Sequence, residues 1–138
     1  MRTDDETVAR VLRESRAWAV VGASDDPWRS SYHVVETLVG AGYDVIPVNP
    51  NYETVQGLRC YPSLRDLPRP VDVVDLFRRS EDAGVHVDEA VEIGAKVVWT
   101  QLGVFPDEDA LRRARDAGLT VVLNHCPAQD IPRLVKAG

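Results

Sequence analysis

The sequence lacks the features that mark exported, membrane-bound and disulfide-rich proteins. Its 138 residues include only two cysteines, Cys60 and Cys126, which stand far apart and form no paired motif. This usage predicts free thiols in a reducing, cytoplasmic setting. No apolar run approaches the length of a transmembrane helix, and residues 1–6 are charged with no signal-peptide core behind them. We therefore expect no membrane partner.

Positive charge is also scarce. The chain has 22 acidic and 16 basic residues, which give a formal net charge of −6. Such a chain is a poor candidate for binding nucleic acid, so contact with a phosphate group would need a local cluster of donors. The length and a hydrophobic content of 44% predict one globular domain over residues 1–138. Apolar residues on exposed helix faces are compatible with a homodimer.

Short apolar stretches alternate with helix-like segments along the whole chain. Strands are predicted at 18–21, 44–48, 71–77, 96–101 and 119–123. This alternation predicts an α/β fold of three layers, with helices on both faces of a doubly wound, five-stranded parallel sheet. Right-handed crossovers favour the strand order 3-2-1-4-5. Ligands bind such sheets at the carboxyl ends of the strands, where we therefore expect a site.

Glycine is missing from the first strand-to-helix loop where a dinucleotide-binding loop would need it. That fingerprint is spaced Gly-x-Gly-x-x-Gly, whereas here Gly22 is followed by Ser24 and Pro27. Ser24 supplies a hydroxyl but hinders the closest backbone approach to a diphosphate. Pro27 delays the helix, so Ser30 or Ser31 becomes the predicted N-cap. The loop indicates a phosphate site unlike that for NAD, or else a plain strand-to-helix turn.

Arginines and aromatic residues accompany two of the strand ends. Arg29 lies in the first loop and Tyr32 flanks it, while Arg78 and Arg79 follow Phe77 at the end of the third strand. Adjacent cations before a helix N-terminus are unfavourable unless an anion is bound there. The pattern indicates phosphate binding with Phe77 against an adenine, or alternatively a solvated charge pair.

The remaining strand ends carry amides and a thiol. Asn49-Pro50 follows the second strand, where an NAD site would need an acid for the ribose diol; it is also a common turn sequence. Gln101 and Gly103 are placed to meet a ligand tail. His125 and Cys126 have too few companions at metal-ligand spacing, so we predict no metal site. A ligand thiol approaching Cys126 remains an open alternative.

In combination, these residues resemble the CoA-binding domain family of small bacterial and archaeal proteins. They are similar also to the N-terminal domains of succinyl-CoA synthetase alpha subunits and of ADP-forming acyl-CoA synthetases. The matching motifs are Val21-Gly-Ala-Ser24, Pro27, Arg29, residues 43–48 followed by Asn49-Pro50, Gly57, Tyr61-Pro62, Val71-Asp72, Gln101-Leu-Gly103 and Cys126-Pro127.

The resemblance implies a Rossmann-like domain that holds coenzyme A along the strand ends. Its phosphates would lie near residues 24–31. Residues 49–50 and 77–79 would lie along its adenosine and phosphate end, and residues 101–103 toward its pantetheine arm. The implied binding residues are Gly22, Ala23, Ser24, Arg29, Ser30, Ser31, Tyr32, Asn49, Pro50, Phe77, Arg78, Arg79, Gln101 and Gly103.

The resemblance implies binding without pointing to catalysis. The family's ligases use a phosphorylated histidine in a second domain, which this sequence does not contain. We therefore expect a carrier, sensor or partner protein for CoA or acyl-CoA, with no nucleophile–base pair or metal cluster of its own. The alternatives are a small NAD(P)-type oxidoreductase and an acyl-transfer fragment that uses Cys126.

Overall fold

Helices and strands alternate along the chain in a computed structural model, which describes residues 2–135. The helices are α1 (Asp5–Glu14), α2 (Ser30–Gly40), α3 (Ser80–Glu92), α4 (Glu108–Asp116) and α5 (Pro127–Leu134). The strands are β1 (Ala17–Val21), β2 (Asp44–Val48), β3 (Thr54–Val55), β4 (Leu58–Arg59), β5 (Val73–Leu76), β6 (Val97–Thr100) and β7 (Thr120–Val122). The five strands predicted from the sequence correspond to β1, β2, β5, β6 and β7, and the α/β class is confirmed.

The five long strands form one parallel sheet in the order β2-β1-β5-β6-β7. The doubly wound topology is confirmed, but the predicted order 3-2-1-4-5 is wrong, because the third strand joins the far side of the first. Pro47 supplies the physical reason. It lacks an N–H group and so fits an edge strand better than the interior position that the predicted order would give β2.

The long connection from β2 to β5 covers the outer edge of β2. Tyr61 N–H donates to the Pro47 carbonyl, and Asn49 N–H donates to the Tyr61 carbonyl. The two-stranded hairpin of β3 and β4 precedes this contact. The exposed edge that a parallel sheet would otherwise present is thereby partly paired.

Side-chain alternation along the strands builds a core on each face of the sheet. On one face, Trp18 and Trp99 pack with ring centroids 5.2 Å apart, beneath apolar residues of α1, α2 and α5. On the other face, Val21 and Val98 pack against α3 and α4, which present mainly alanine and valine to them. The three-layer arrangement is confirmed. None of the described helices has the length and apolar character needed to cross a membrane.

Candidate ligand-binding cleft

A cleft of about 740 Å³ lies at the carboxyl edge of the sheet. Its position is the switch point, because the chain leaves β1 toward β2 on one side and later places β5 on the other. The volume is within the range of small-molecule sites. The cleft is lined by Gly22, Ser24, Arg29, Ser30, Ser31, Asn49, Asn51, Tyr52, Phe77, Arg78, Arg79, Gln101, Leu102, Val104, Cys126 and Gln129.

The first wall of the cleft is the loop after β1, which close backbone packing holds in place. Gly22 has a φ of +87°, and its N–H donates to the Val48 carbonyl at 2.8 Å. A Cβ atom at this position would overlap the backbone carbonyl oxygen of Phe77. Only glycine combines this φ with such an approach, so Gly22 sets the distance between the ends of β1 and β5.

Asn49 connects this loop to the end of β2. Its Nδ2 donates to the Ala23 carbonyl at 2.8 Å, and its Oδ1 accepts from Asn51 N–H at 2.9 Å. Ser24 is joined to the same region, since its hydroxyl lies 3.2 Å from the Tyr52 hydroxyl. The amide and hydroxyl groups predicted to meet a ligand thus also hold the two loops together.

Three helices begin at the cleft, and none has a side-chain cap. The N-cap residues of α2, α3 and α5 are Arg29, Arg79 and Cys126, in contrast to Asp4 and Asp107, which cap α1 and α4 with their carboxylates. The predicted Ser30 or Ser31 cap is therefore wrong. Both serines lie in the first turn of α2, whereas an N-cap residue stands just before the helix and has non-helical backbone angles. The exposed N–H groups of such helix ends attract anions.

Positive charge is concentrated on the cleft, although the chain is acidic. Arg29, Arg78 and Arg79 line it, and no aspartate or glutamate of the described residues does. Arg78 reaches over Gly22. Exposed Arg79 lies 3.5 Å from Glu81 and from Asp82, contacts that solvent weakens. The cleft is therefore suited to a ligand with several negative charges.

Ten of the fourteen predicted residues lie on the cleft wall, and four do not. Ala23 is buried in the core and turns its carbonyl toward Asn49. Tyr32 does not line the cleft, and its backbone carbonyl accepts a hydrogen bond from Gln56, while Pro50 is an exposed turn residue. Gly103 is occupied by backbone hydrogen bonds to Asn124 and Ser80. Neighbouring residues in a loop point in different directions, so a sequence motif predicts which loop borders the cleft but not which of its residues line it.

Several wall residues have no counterpart in the predicted set. They are Asn51, Tyr52, Leu102, Val104, Cys126 and Gln129. The first two belong to the long connection after β2, whose path the sequence pattern does not predict. Gln129 had a usable signal, because it lies in the first turn of a helix that follows a predicted strand end.

Polar groups form the floor of the cleft next to the sheet. The Gln101 amide donates through Nε2 to Oδ1 of Asp75, a β5 residue that is 0% exposed. Burial raises the pKa of Asp75 to about 8, so the group is mainly a neutral acid at pH 7. Burial also raises the pKa of the Cys126 thiol, with Asp75 adding to the shift. Cys126 is thus a protonated thiol at neutral pH and a weak nucleophile.

His125 faces away from the cleft and serves the packing of α5. Its ring is fully buried, with Nδ1 2.8 Å from Asp130 and Nε2 2.6 Å from the Thr3 carbonyl oxygen. These contacts leave neither ring nitrogen directed at Cys126. Within residues 2–135, no group of three or more metal-ligating side chains is present.

A doubly wound parallel sheet with a cationic cleft at its switch point defines a Rossmann-like, ligand-binding domain. The chain belongs to the CoA binding domain family, whose model matches residues 16–132. It is 37% identical over 119 residues to YneT, an uncharacterized protein of Bacillus subtilis (strain 168). This match covers 86% of this chain and 87% of that protein.

Two further similarities extend this relationship. A hypothetical protein from Pyrococcus horikoshii OT3 has the same fold, with a TM-score of 0.92 and 40% identity over 97% of this chain and 94% of that one. The alpha subunit of an ADP-forming acetate–CoA ligase from Pyrococcus furiosus is 42% identical over 84 residues. That match covers 60% of this chain but only 18% of the ligase subunit.

Proposed function

We propose that the protein binds coenzyme A or an acyl-CoA in the cleft and acts as a non-catalytic carrier, sensor or partner protein. The observation that carries the proposal is the arginine-lined, acid-free wall at the switch point of a chain with a net charge of −6. CoA combines a diphosphate and a ribose phosphate with a long neutral arm. Its charges match the arginines and helix N-termini, and its arm matches the amides and apolar residues beyond them.

The proposed orientation follows the chemistry of the walls. The phosphates lie between the start of α2 and the arginines, where Arg29 and Arg78 supply charge. The adenosine lies near Asn49 and Phe77. The pantetheine arm extends across the floor toward Gln101 and Cys126, which puts the thiol at the end of the cleft away from the phosphates.

Two features disfavour the alternatives. An NAD site usually holds the ribose diol with an acid at the end of the second strand, and that position here is Asn49, whose side chain is engaged in two hydrogen bonds. An acyl-transfer role for Cys126 would need an activated thiolate, whereas burial raises the pKa of this thiol. A turnover that Cys126→Ala abolishes would favour the acyl-transfer alternative.

Isothermal titration with CoA, NAD and ATP at pH 7 tests the proposal. We expect CoA to bind at least tenfold more tightly than NAD, because NAD has no ribose phosphate for the arginines and no arm for the floor. ATP is also expected to bind more weakly than CoA, because it has no arm for the floor of the cleft. Tighter binding of NAD than of CoA would contradict the proposal.

The distribution of tryptophans gives a second, independent test. Trp28 is 93% exposed and adjoins Arg29, whereas Trp18 and Trp99 are fully buried. Acrylamide quenching therefore reports mainly on Trp28. We expect saturating CoA to reduce the quenching constant, because a ligand bound at the start of α2 restricts access to the loop that carries Trp28. The Trp28→Phe variant should show little quenching with or without CoA, and unchanged quenching in the wild type would mean that the ligand does not cover this loop.

A further inference from the structure

Asp75 is a buried acid for which the folded chain provides little compensation. It lies on β5 between Val20 of β1 and Trp99 of β6. Oδ1 accepts a hydrogen bond from Gln101, but Oδ2 has no hydrogen-bond partner among the described residues. A buried polar atom without a partner is costly, and an apolar side chain on this buried strand would avoid that cost.

This acid lies directly beneath the cleft. Gln101, its hydrogen-bond partner, lines the cleft. Cys126, at the start of α5, also lines the cleft, and the charge of Asp75 raises the pKa of its thiol. The planar Gln101 amide uses Nε2 to reach Asp75, which leaves Oε1 as the end available to a ligand. Its register partners on the neighbouring strands, Val20 and Trp99, are apolar, and among the described residues no cation contributes to the pKa of Asp75.

The same burial has a consequence for stability that argues for a functional role. The pKa of Asp75 is about 8 in the folded chain, against an ordinary value of 3.8. Below about pH 4 the group is neutral in both the folded and the unfolded chain and does not oppose folding. As pH rises from about 4 to 8, the unfolded chain loses this proton more readily than the folded chain, so the free energy of unfolding declines. An acid retained at such a cost next to a cleft indicates a task there.

We propose that Asp75 is a proton-linked positioning residue for the pantetheine arm: it accepts a hydrogen bond from Nε2 of Gln101, so that Oε1 of that amide faces the arm and accepts one of its N–H groups. This inference rests on the proposed binding of CoA. The arm covers the floor of the cleft and excludes water above Gln101 and Cys126. It thereby disfavours an ionised Asp75 further, and the phosphates act in the same direction. Ligand binding and protonation of Asp75 therefore reinforce each other.

The experiment measures affinity against pH for two ligands. Acetyl-CoA carries the arm with its thiol blocked, and 3′-phospho-ADP carries the nucleotide and its phosphates without the arm. With a pKa of about 8 in the free protein, the neutral fraction falls roughly tenfold from pH 7 to pH 9, so acetyl-CoA affinity should fall roughly tenfold. The affinity of 3′-phospho-ADP should change much less.

Variants separate Asp75 from its neighbours. Asp75→Asn keeps the shape and a neutral amide, so it should bind acetyl-CoA at pH 7 within about threefold of the wild type and lose the pH dependence. Gln101→Leu should weaken acetyl-CoA about tenfold while leaving 3′-phospho-ADP unchanged. Cys126→Ser removes the neighbouring thiol, and loss of the pH slope in that variant would assign the proton linkage to Cys126 and overturn the role of Asp75.

A wild-type measurement decides the matter even if a variant does not fold. Titration at pH 8 in buffers of different ionisation enthalpy should show uptake of about half a proton per acetyl-CoA bound, and less for 3′-phospho-ADP. No difference in uptake between the two ligands, or an Asp75→Asn variant with the wild-type pH slope, would overturn the inference while CoA binding stood. Failure of acetyl-CoA and CoA to bind at pH 7 would instead overturn the proposed function, and this inference with it.

Discussion

Replacing Gly22 with alanine is expected to weaken CoA binding by at least a hundredfold and to destabilise the fold. The new Cβ atom would overlap the Phe77 carbonyl oxygen. The backbone of both residues is held in place, because Gly22 N–H donates to Val48 of β2 and Phe77 N–H donates to Val21 of β1. The conflict can be relieved only by separating the loop after β1 from the end of β5. A displacement of about 1 Å in such a site can cost about a hundredfold.

The same substitution should lower the free energy of unfolding by roughly 2–5 kcal/mol. Of this, about 1–2 kcal/mol comes from a positive φ at a residue with a side chain, and about 1–3 kcal/mol from overpacking. Thermal unfolding of the variant, with titration of CoA well below its midpoint, measures both effects.

Gly118→Ala is the matched control. Gly118 has a φ of +92°, but nothing lies within 4 Å of the Cβ position, and the residue follows α4 outside the cleft. This variant should lose about 1–2 kcal/mol of stability and bind CoA as the wild type does. If Gly22→Ala bound CoA with normal affinity, the loop after β1 would not form part of the site.

The fold was predictable as far as local pattern determines it. Buried parallel strands appear as short apolar runs, and five such runs separated by helices are compatible with few architectures. Strand order depends instead on contacts between distant segments. The one local signal for it was Pro47, whose missing N–H makes an edge position for β2 preferable.

The cleft was predictable because a parallel sheet brings all its carboxyl strand ends to one edge. Gly22, Asn49, Phe77 and Gln101 meet there although nearly eighty residues separate the first from the last. What the pattern does not contain is the buried acid beneath them. Asp75 looks like one polar residue in an apolar strand, and its complete burial and its contact with Gln101 become apparent only in the folded chain.

Removing the arginines of the cleft is expected to give the second large effect, this time without loss of stability. Arg29→Ala and the double variant Arg78→Ala/Arg79→Ala should each weaken CoA binding by about 1–3 kcal/mol, or roughly 5- to 150-fold, because charge-assisted contacts with phosphate are lost. The melting temperature should stay nearly unchanged, since surface arginines contribute little to folding. Titration calorimetry and thermal unfolding of the same preparations measure the two quantities.

The double variant Arg65→Ala/Arg112→Ala is the control for net charge. These arginines pair with Glu92 and Asp109 at exposed positions outside the cleft, so their loss changes the overall charge by the same amount as the Arg78/Arg79 change. CoA affinity should then fall by less than about twofold at physiological salt, because charges beyond roughly 8 Å are screened. Equal losses in the two double variants would mean that long-range charge, and not contact, attracts the ligand.

Dephospho-CoA, which lacks only the ribose 3′-phosphate, assigns the arginines to individual phosphates. An arginine that contacts the 3′-phosphate has nothing to lose when this ligand is used, so its substitution should leave dephospho-CoA affinity unchanged while weakening CoA. An arginine on the diphosphate should weaken both ligands equally. Because Arg29 lies at the start of α2 and Arg78 and Arg79 at the start of α3, the proposed orientation predicts the second behaviour for Arg29 and the first for the Arg78/Arg79 pair. The reverse assignment would turn the nucleotide around in the cleft and take the arm away from Gln101.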